Sequence, residues 1–520
     1  MLYTIALHIM SAYDLTVYRG IFIHLPRIAD HSTTKPQLVR HRGALWVSTS
    51  NGRIKGFDWS AQDDESFRDL MVRNNWTTAD VRTDLNGDHE PMIKVKIVRT
   101  REDRNEFFFP GFIDTHIHAP QYPNAGLFGS TTLLDWLESY TFPVESGFGD
   151  QGNPRQEKTS PQDAPPVALR VYNQVICRTL SHGTTCASYF ATIHTPATNA
   201  LASLCHARGQ RAFIGRVCMD NPFICPSYYR DHSPEDSLSA TEATIAYIHT
   251  LDPKGTLVKP IITPRFAPTC SPAALNALGS LAASYNPPLH IQTHISENTN
   301  EIALVKDLFP NSESYASVYD THNLLTRRTI LAHAVHLSPS ERSLIATRQA
   351  KVSHCPASNA ALGSGICPVR TLLNDGITVG LGTDVSGGYS PSILEAARQA
   401  CLSSRLLGHT SSFAASAGPG ITGDVTQEKP VGYEKLSVDE SLYLATRGGA
   451  AVVDMADELG GFEEGMLWDA QLIELGAVRE SVEGLLEGSE GGWQWVGGEC
   501  RSVWDGDLAG EDSEVGVEWR

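Results

Sequence analysis

From residue 107 onward, short apolar runs alternate with helix-sized spacers. The runs lie at 110–118, 183–187, 211–215, 258–262, 289–294, 330–333, 351–354 and 377–382. Eight β–α units in series predict an α/β fold, a closed parallel (β/α)8 TIM-like barrel. Before residue 109 the rhythm differs. Runs at 17–23 and 44–48 read as strands, the second followed by the turn pair Asn51-Gly52. Residues 92–98 alternate as a half-buried strand should, and residues 60–90 read as a polar insertion.

After Gly448-Gly449-Ala450 the chain returns to short strands, with one at 470–473. The two ends are therefore expected to form one small β-sandwich domain. The expected division is 1–108 and 451–520 for that domain and 109–450 for the barrel. Pro/Gly/Ser-rich stretches at 146–166 and 408–432 read as surface loops or insertions. Residues 506–520 read as loosely held, and Trp493 and Trp495 as packing for the small domain.

Composition narrows the function classes. The chain has 520 residues, 41% hydrophobic and 19% charged, as ordinary soluble proteins do. A net charge of −18 argues against a nucleic-acid backbone or an anionic membrane as partner. No apolar run is long enough to span a bilayer. The first fifteen residues lack a basic start and carry His8 and Asp14, so they are not read as a signal peptide. Ten cysteines without a C-x-x-C pair read as reduced thiols in a cytosolic protein. In that setting the sequon Asn75-Trp76-Thr77 is incidental.

The chemistry is concentrated at the ends of the barrel runs. His116 and His118 close the first run two residues apart, on one face of a strand, within reach of one metal ion. His294, His333 and Asp384 end later runs. Barrel strands bring their C-terminal ends together. Imidazoles with one carboxylate suit zinc, although iron or manganese would accept the same donors. Lys259 sits at the entry of its strand, the wrong end to bridge two metals, so one metal per subunit is expected.

Around these residues run Phe109-Pro110-Gly111-Phe112-Ile113-Asp114-Thr115-His116-Ile117-His118-Ala119-Pro120-Gln121-Tyr122 and Trp136-Leu137-Glu138-Ser139-Tyr140-Thr141-Phe142-Pro143. Thr263-Pro264-Arg265-Phe266, His294-Ile295-Ser296-Glu297-Asn298 and Gly382-Thr383-Asp384-Val385-Ser386-Gly387-Gly388-Tyr389 follow. Together they resemble the amidohydrolase superfamily and, more narrowly, its guanine deaminases. The H-x-H and Thr-Asp patterns belong to the superfamily at large. Gln121, Arg265-Phe266 and His-Ile-Ser-Glu carry the narrower resemblance.

The resemblance implies zinc on His116, His118, His294 and Asp384, with His333 beside it positioning water or substrate. It implies Gln121, Arg265 and Phe266 as the base-holding set, with Glu297 and Asp384 moving protons. The implied reaction is hydrolysis of guanine to xanthine and ammonia, by a cytoplasmic homodimer with a small-molecule substrate. Elementary chemistry agrees with these roles. A carboxylic acid such as Glu297 can protonate the ring nitrogen beside the attacked carbon. A guanidinium only donates hydrogen bonds, which suits the acceptors of guanine and mismatches the amine of adenine.

Each assignment has a plainer counterpart. Arg265 could be a structural ion pair, Phe266 a packing residue and Gln121 a loop amide facing water. His194, His336 and His354 are read as structural or supporting, and Cys355 has no catalytic partner. Two other functions stay open at this level. One is an amidohydrolase acting on another purine, pterin, pyrimidine or triazine. The other is a catalytically inactive scaffold, which the full set of candidate ligands disfavours.

Overall fold

The computed structural model describes residues 13–28, 35–78, 92–149, 159–409, 432–476 and, as backbone, 499–503. The expectations for residues 1–12, 493–495 and 506–520, for most of 408–432, for 79–90 of the polar insertion and for 150–158 of the stretch at 146–166 fall outside these residues. The chain sorts into two compact units. One takes in the described residues of His24–Val39 and Pro110–Gly461; the other takes in those of Met1–Ile23, Arg40–Phe109 and Phe462–Arg520.

The larger unit is the barrel. Its eight strands are Phe112–His118, Thr184–Phe190, Arg211–Gly215, Val258–Pro264, His290–Ile295, Thr329–His333, Lys351–His354 and Val379–Leu381. They are joined in this order and every described pairing is parallel. A two-residue extension of the third strand, Val217–Cys218, continues its pairing with the fourth. The first and last strands meet through hydrogen bonds from Asp384 N to His116 O and from His118 N to Val385 O, both 2.9 Å. All seven residues of the first and second strands are buried, so neither strand alternates buried and exposed positions.

Helices cover the strands. Residues Val171, Val175 and Ile176 of the helix Pro166–Ser181 pack with Ile117, Ala187 and Tyr189 in one cluster. Ala197, Leu201 and Cys205 of the helix Thr195–Arg208 join it. Proline opens several of these helices, including those at Pro166, Pro234, Pro272 and Pro339. Its fixed φ suits a first turn and its missing N–H would be unpaired there anyway. Gly209, at φ 72°, closes the helix before the third strand in the left-handed conformation that glycine adopts without strain. No described helix is long and apolar enough to cross a membrane.

The smaller unit is an eight-stranded sheet that branches at the strand Leu15–His24. That strand pairs in parallel with Ile93–Arg99 over its first half and with Glu106–Pro110 at Phe22. Alternation buries both faces. Tyr18, Phe22, Leu45 and Val47 enter one cluster with Phe462 and Trp468, while Val17 and Ala44 enter another with Phe67 and Leu70.

Two expectations for local structure need correction. The described part of the polar insertion, up to residue 78, contains a helix, Asp64–Arg73, which buries Phe67 and Leu70. A capping box between Asp63 and Ser66 starts it. The stretch at 146–166 is only partly a surface loop. Phe148 is buried with its ring 5.2 Å from that of Tyr172, and residues from 166 onward are helical.

Candidate active site

The C-terminal ends of the strands deliver the expected residues to one place. His116 and His118 end the first strand, His294 lies near the end of the fifth, His333 ends the sixth and Asp384 follows the eighth. One ligand atom from each of His116, His294, His333 and Asp384 lies within 4.8 Å of the others. His118 Nε2 joins them at 3.2 Å from His294 Nε2 and 3.4 Å from Asp384 Oδ1. All five side chains thus converge, with His333 inside the group and not merely beside it.

The hydrogen bonds fix which atoms face the centre. His294 Nδ1 bonds Arg265 O at 2.6 Å, so its Nε2 points inward. His333 Nδ1 bonds Asn359 Oδ1 at 2.9 Å, leaving its Nε2 3.4 Å from Glu297 Oε2 and 3.8 Å from Asp384 Oδ2. The buried Nε2 of His116 makes no hydrogen bond and lies 3.1 Å from Asp384 Oδ1. Burial holds His118 and His294 well below the usual histidine range. They are therefore neutral, the state in which imidazole binds a metal. An orphaned ring nitrogen, neutral imidazoles and an ionised carboxylate together make a donor set that fits a divalent cation.

The backbone here is held under strain. Asp384 has φ 48° and His333 φ 73°, conformations that side chains other than glycine adopt at a cost. Asp114 braces the turn, accepting from Thr383 N at 3.0 Å, Thr383 Oγ1 at 2.5 Å and His116 N at 3.2 Å. Burial pushes the Asp114 carboxyl up to about 7 against those bonds. Gly382 precedes the turn because a Cβ there would stand 2.8 Å from His116 Cβ.

A cavity opens beside the cluster. Gln121, Arg265, Phe266, Glu297, His118, His294, His333 and Asp384 line it, with Leu133, Trp136, Leu137 and Leu362 as its apolar wall. Every base-holding candidate therefore reaches the same space. Gln121 is 1% exposed and so is not a solvated loop amide. Phe266 does both things considered for it, lining the cavity while packing with Trp136 and Leu137. Burial raises Glu297 to about 7, helped by Asp384 and Glu301 and opposed by His333. A carboxyl titrating near neutrality can both give and take a proton.

The pattern of the amidohydrolase family matches residues 107–490. The chain belongs to the amidohydrolase family. It is 50% identical to a probable guanine deaminase of Schizosaccharomyces pombe over 382 residues, covering 74% of this chain and 66% of that protein. It is 41% identical to a guanine deaminase of Rattus norvegicus over 458 residues, 88% of this chain and 86% of the relative. A crystal structure of guanine deaminase from C. acetobutylicum with bound guanine superposes with a TM-score of 0.67 at 30% identity, covering 88% of this chain and 90% of that one.

Several residues of this amidohydrolase site are missing from the sequence reading. Glu145 is fully buried and ion-pairs with Arg265, Nη1 to Oε2 at 2.7 Å and Nη2 to Oε1 at 3.2 Å. Arg265 is thus an ion pair and a cavity residue at once. Asn359 orients His333, and Ser364 donates to Glu297 Oε1 at 3.0 Å. His336 Nε2 bonds Ser364 O at 2.7 Å, which gives that histidine a bracing place. His354 is buried and His194 half-buried, both outside the convergent group, and desolvation lowers them to about 3 and about 4.

Proposed function

We propose that this chain is a guanine deaminase that hydrolyses guanine to xanthine and ammonia, using one zinc ion per subunit. The observation that carries this reading is a single cavity with the His/Asp group on one side and Arg265, Gln121 and Glu297 around it. The relatives of that name, at 40–50% identity, support the same substrate.

His116, His118, His294 and Asp384 would hold the metal, with His333 against it. When bound, the metal supplies the Lewis acidity that makes water a nucleophile near neutral pH. The protein's residues supply the rest. Arg265 and Gln121 hold the base by its edge, and Phe266 closes one side. Glu297, protonated near neutrality, gives a proton to the ring nitrogen beside the amine-bearing carbon as that carbon becomes tetrahedral. Asp384 takes the proton from the attacking water. The same proton goes to the amine; as the C–N bond breaks and ammonia leaves, the hydroxyl on that carbon gives its proton back to Glu297 and becomes the carbonyl of xanthine. His333 is held by Asn359 with its inner nitrogen between Glu297 and Asp384, placed to orient the water.

The reading includes cytoplasmic residence and a homodimer. Nine described cysteines are free thiols, which suits a reducing compartment. Sedimentation of the purified protein checks the dimer. The activity is tested by ammonia release from guanine beside adenine, cytosine and a pterin. Xanthine from guanine alone, lost with a chelator and restored by zinc, is the expected result. No turnover of guanine by metal-replete protein would overturn the reading.

A further inference from the structure

Glu145 has no exposed surface and is saturated by its neighbours. Its Oε1 accepts from Gln121 Nε2 at 2.7 Å and Arg265 Nη2 at 3.2 Å. Its Oε2 accepts from Arg265 Nη1 and Tyr229 OH, both at 2.7 Å. Arg265 and Gln121 line the cavity, whereas Glu145 stands behind them. The short helix Phe142–Ser146 that carries it also presents Phe142, whose ring centroid lies 5.3 Å from the Arg265 guanidinium carbon.

We propose that Glu145 is a positioning residue that sets the charge specificity of the cavity, so that it takes an uncharged purine lactam and disfavours a purine anion. This rests on the guanine reading. A buried guanidinium without a counter-charge attracts an anion strongly, because little water screens it. Paired with Glu145, Arg265 keeps three of its five N–H donors and the pair carries no net charge. It then recognises a carbonyl oxygen as a hydrogen-bond acceptor and not as a negative charge.

The same carboxylate fixes the Gln121 amide. With one N–H on Glu145 and the oxygen 3.3 Å from both Ser386 N and Ser386 Oγ, the amide cannot flip without losing these bonds. Its second N–H is left for the ligand. Glu145 therefore orders the donors that face the base without touching it.

The test is Glu145→Gln, which keeps shape and removes charge. In metal-replete protein, kcat and KM for guanine are measured, with inhibition by urate, a monoanion at neutral pH, and by neutral hypoxanthine. We expect KM to rise tenfold or more with kcat within about threefold, the signature of lost uniform binding. The preference for urate over hypoxanthine should rise at least tenfold. An unchanged urate-to-hypoxanthine ratio would overturn the proposal, as would a loss confined to kcat. Tyr229→Phe covers the case in which Glu145→Gln does not fold. It keeps the counter-charge, so KM should rise a few-fold with the inhibitor ratio unchanged. An unchanged KM, or a shifted ratio, would overturn the proposal there. Wild-type protein run in parallel separates the two readings, since failure to turn over guanine would remove the function itself.

Discussion

At Glu297 the surroundings favour a shared proton. One carboxylate oxygen accepts from Ser364 and the other faces His333, while Glu301 accepts from the Glu297 backbone N–H at 2.8 Å. A neutral amide fills the same space but cannot carry the proton. Glu297→Gln is therefore expected to keep its metal and lose about 10²–10⁴-fold in kcat, read by steady-state kinetics beside metal analysis. Activity within a few-fold of wild type would remove Glu297 from the mechanism. His116→Ala should lose metal and turnover together, because its inward nitrogen is one of the convergent donors, 3.1 Å from Asp384 Oδ1. Arg265→Gln makes a different combination. It should raise KM for guanine and also cost about 3–5 kcal/mol of stability, since Glu145 is left buried without its counter-charge; denaturant unfolding reads the second effect. Legibility at this scale followed chemical type. Histidines at strand ends announce themselves, as does a carboxylate close to one of them. Glu145 gave no such signal, because its partner lies 120 residues away and neither neighbour in sequence reports the contact.

Among the elements, the ends opposite the active site hold a second charged group. His290 begins the fifth barrel strand, Lys351 the seventh, and Asp454 follows the helix Gly449–Val452. Asp454 bonds His290 Nε2 at 3.0 Å and also bonds Lys351 Nζ. Burial alone would raise its carboxyl, but those two bonds win and lower it to about 2. Its folded value is below its unfolded one, so the stabilisation is present at neutral pH. It fades as pH falls from about 4 through about 2. A shift of that size is worth about 2 kcal/mol. Asp454→Asn should cost at least that much at pH 7 and flatten the loss of stability between pH 4 and 2, measured by urea unfolding at each pH. A parallel pH profile in the variant would show that the group does not link these strands. The barrel strands were readable because short stretches rich in apolar and β-branched residues recur at helix-sized intervals, and the first two are buried on both faces. The helix Asp64–Arg73 was not, because it buries only Phe67 and Leu70 and exposes Val72. Its capping pair, Asp63 and Ser66, was the signal in the sequence.

For the barrel as a whole, the metal group has a mechanical place as well as a chemical one. The first and last strands meet at Asp384 N to His116 O and His118 N to Val385 O, so three of the expected ligands flank the closing seam. That seam is also where Asp384 adopts a left-handed backbone conformation. A cation there would tie the two ends of the sheet to each other and to His294 on the fifth strand. Binding only to the folded state adds RT ln(1 + [L]/Kd), about 4 kcal/mol at a free concentration 1,000 times Kd. Removing metal with a chelator, followed by dialysis, should therefore lower the thermal midpoint of the barrel, and added zinc should restore it in a concentration-dependent way. The same experiment on Glu297→Gln should give the full shift, because that side chain moves protons and holds no metal. If the midpoint of wild-type protein ignores chelation and zinc, the convergent histidines do not bind metal strongly enough to close the seam. A shift present in wild type and absent in Glu297→Gln would place Glu297 among the ligands instead.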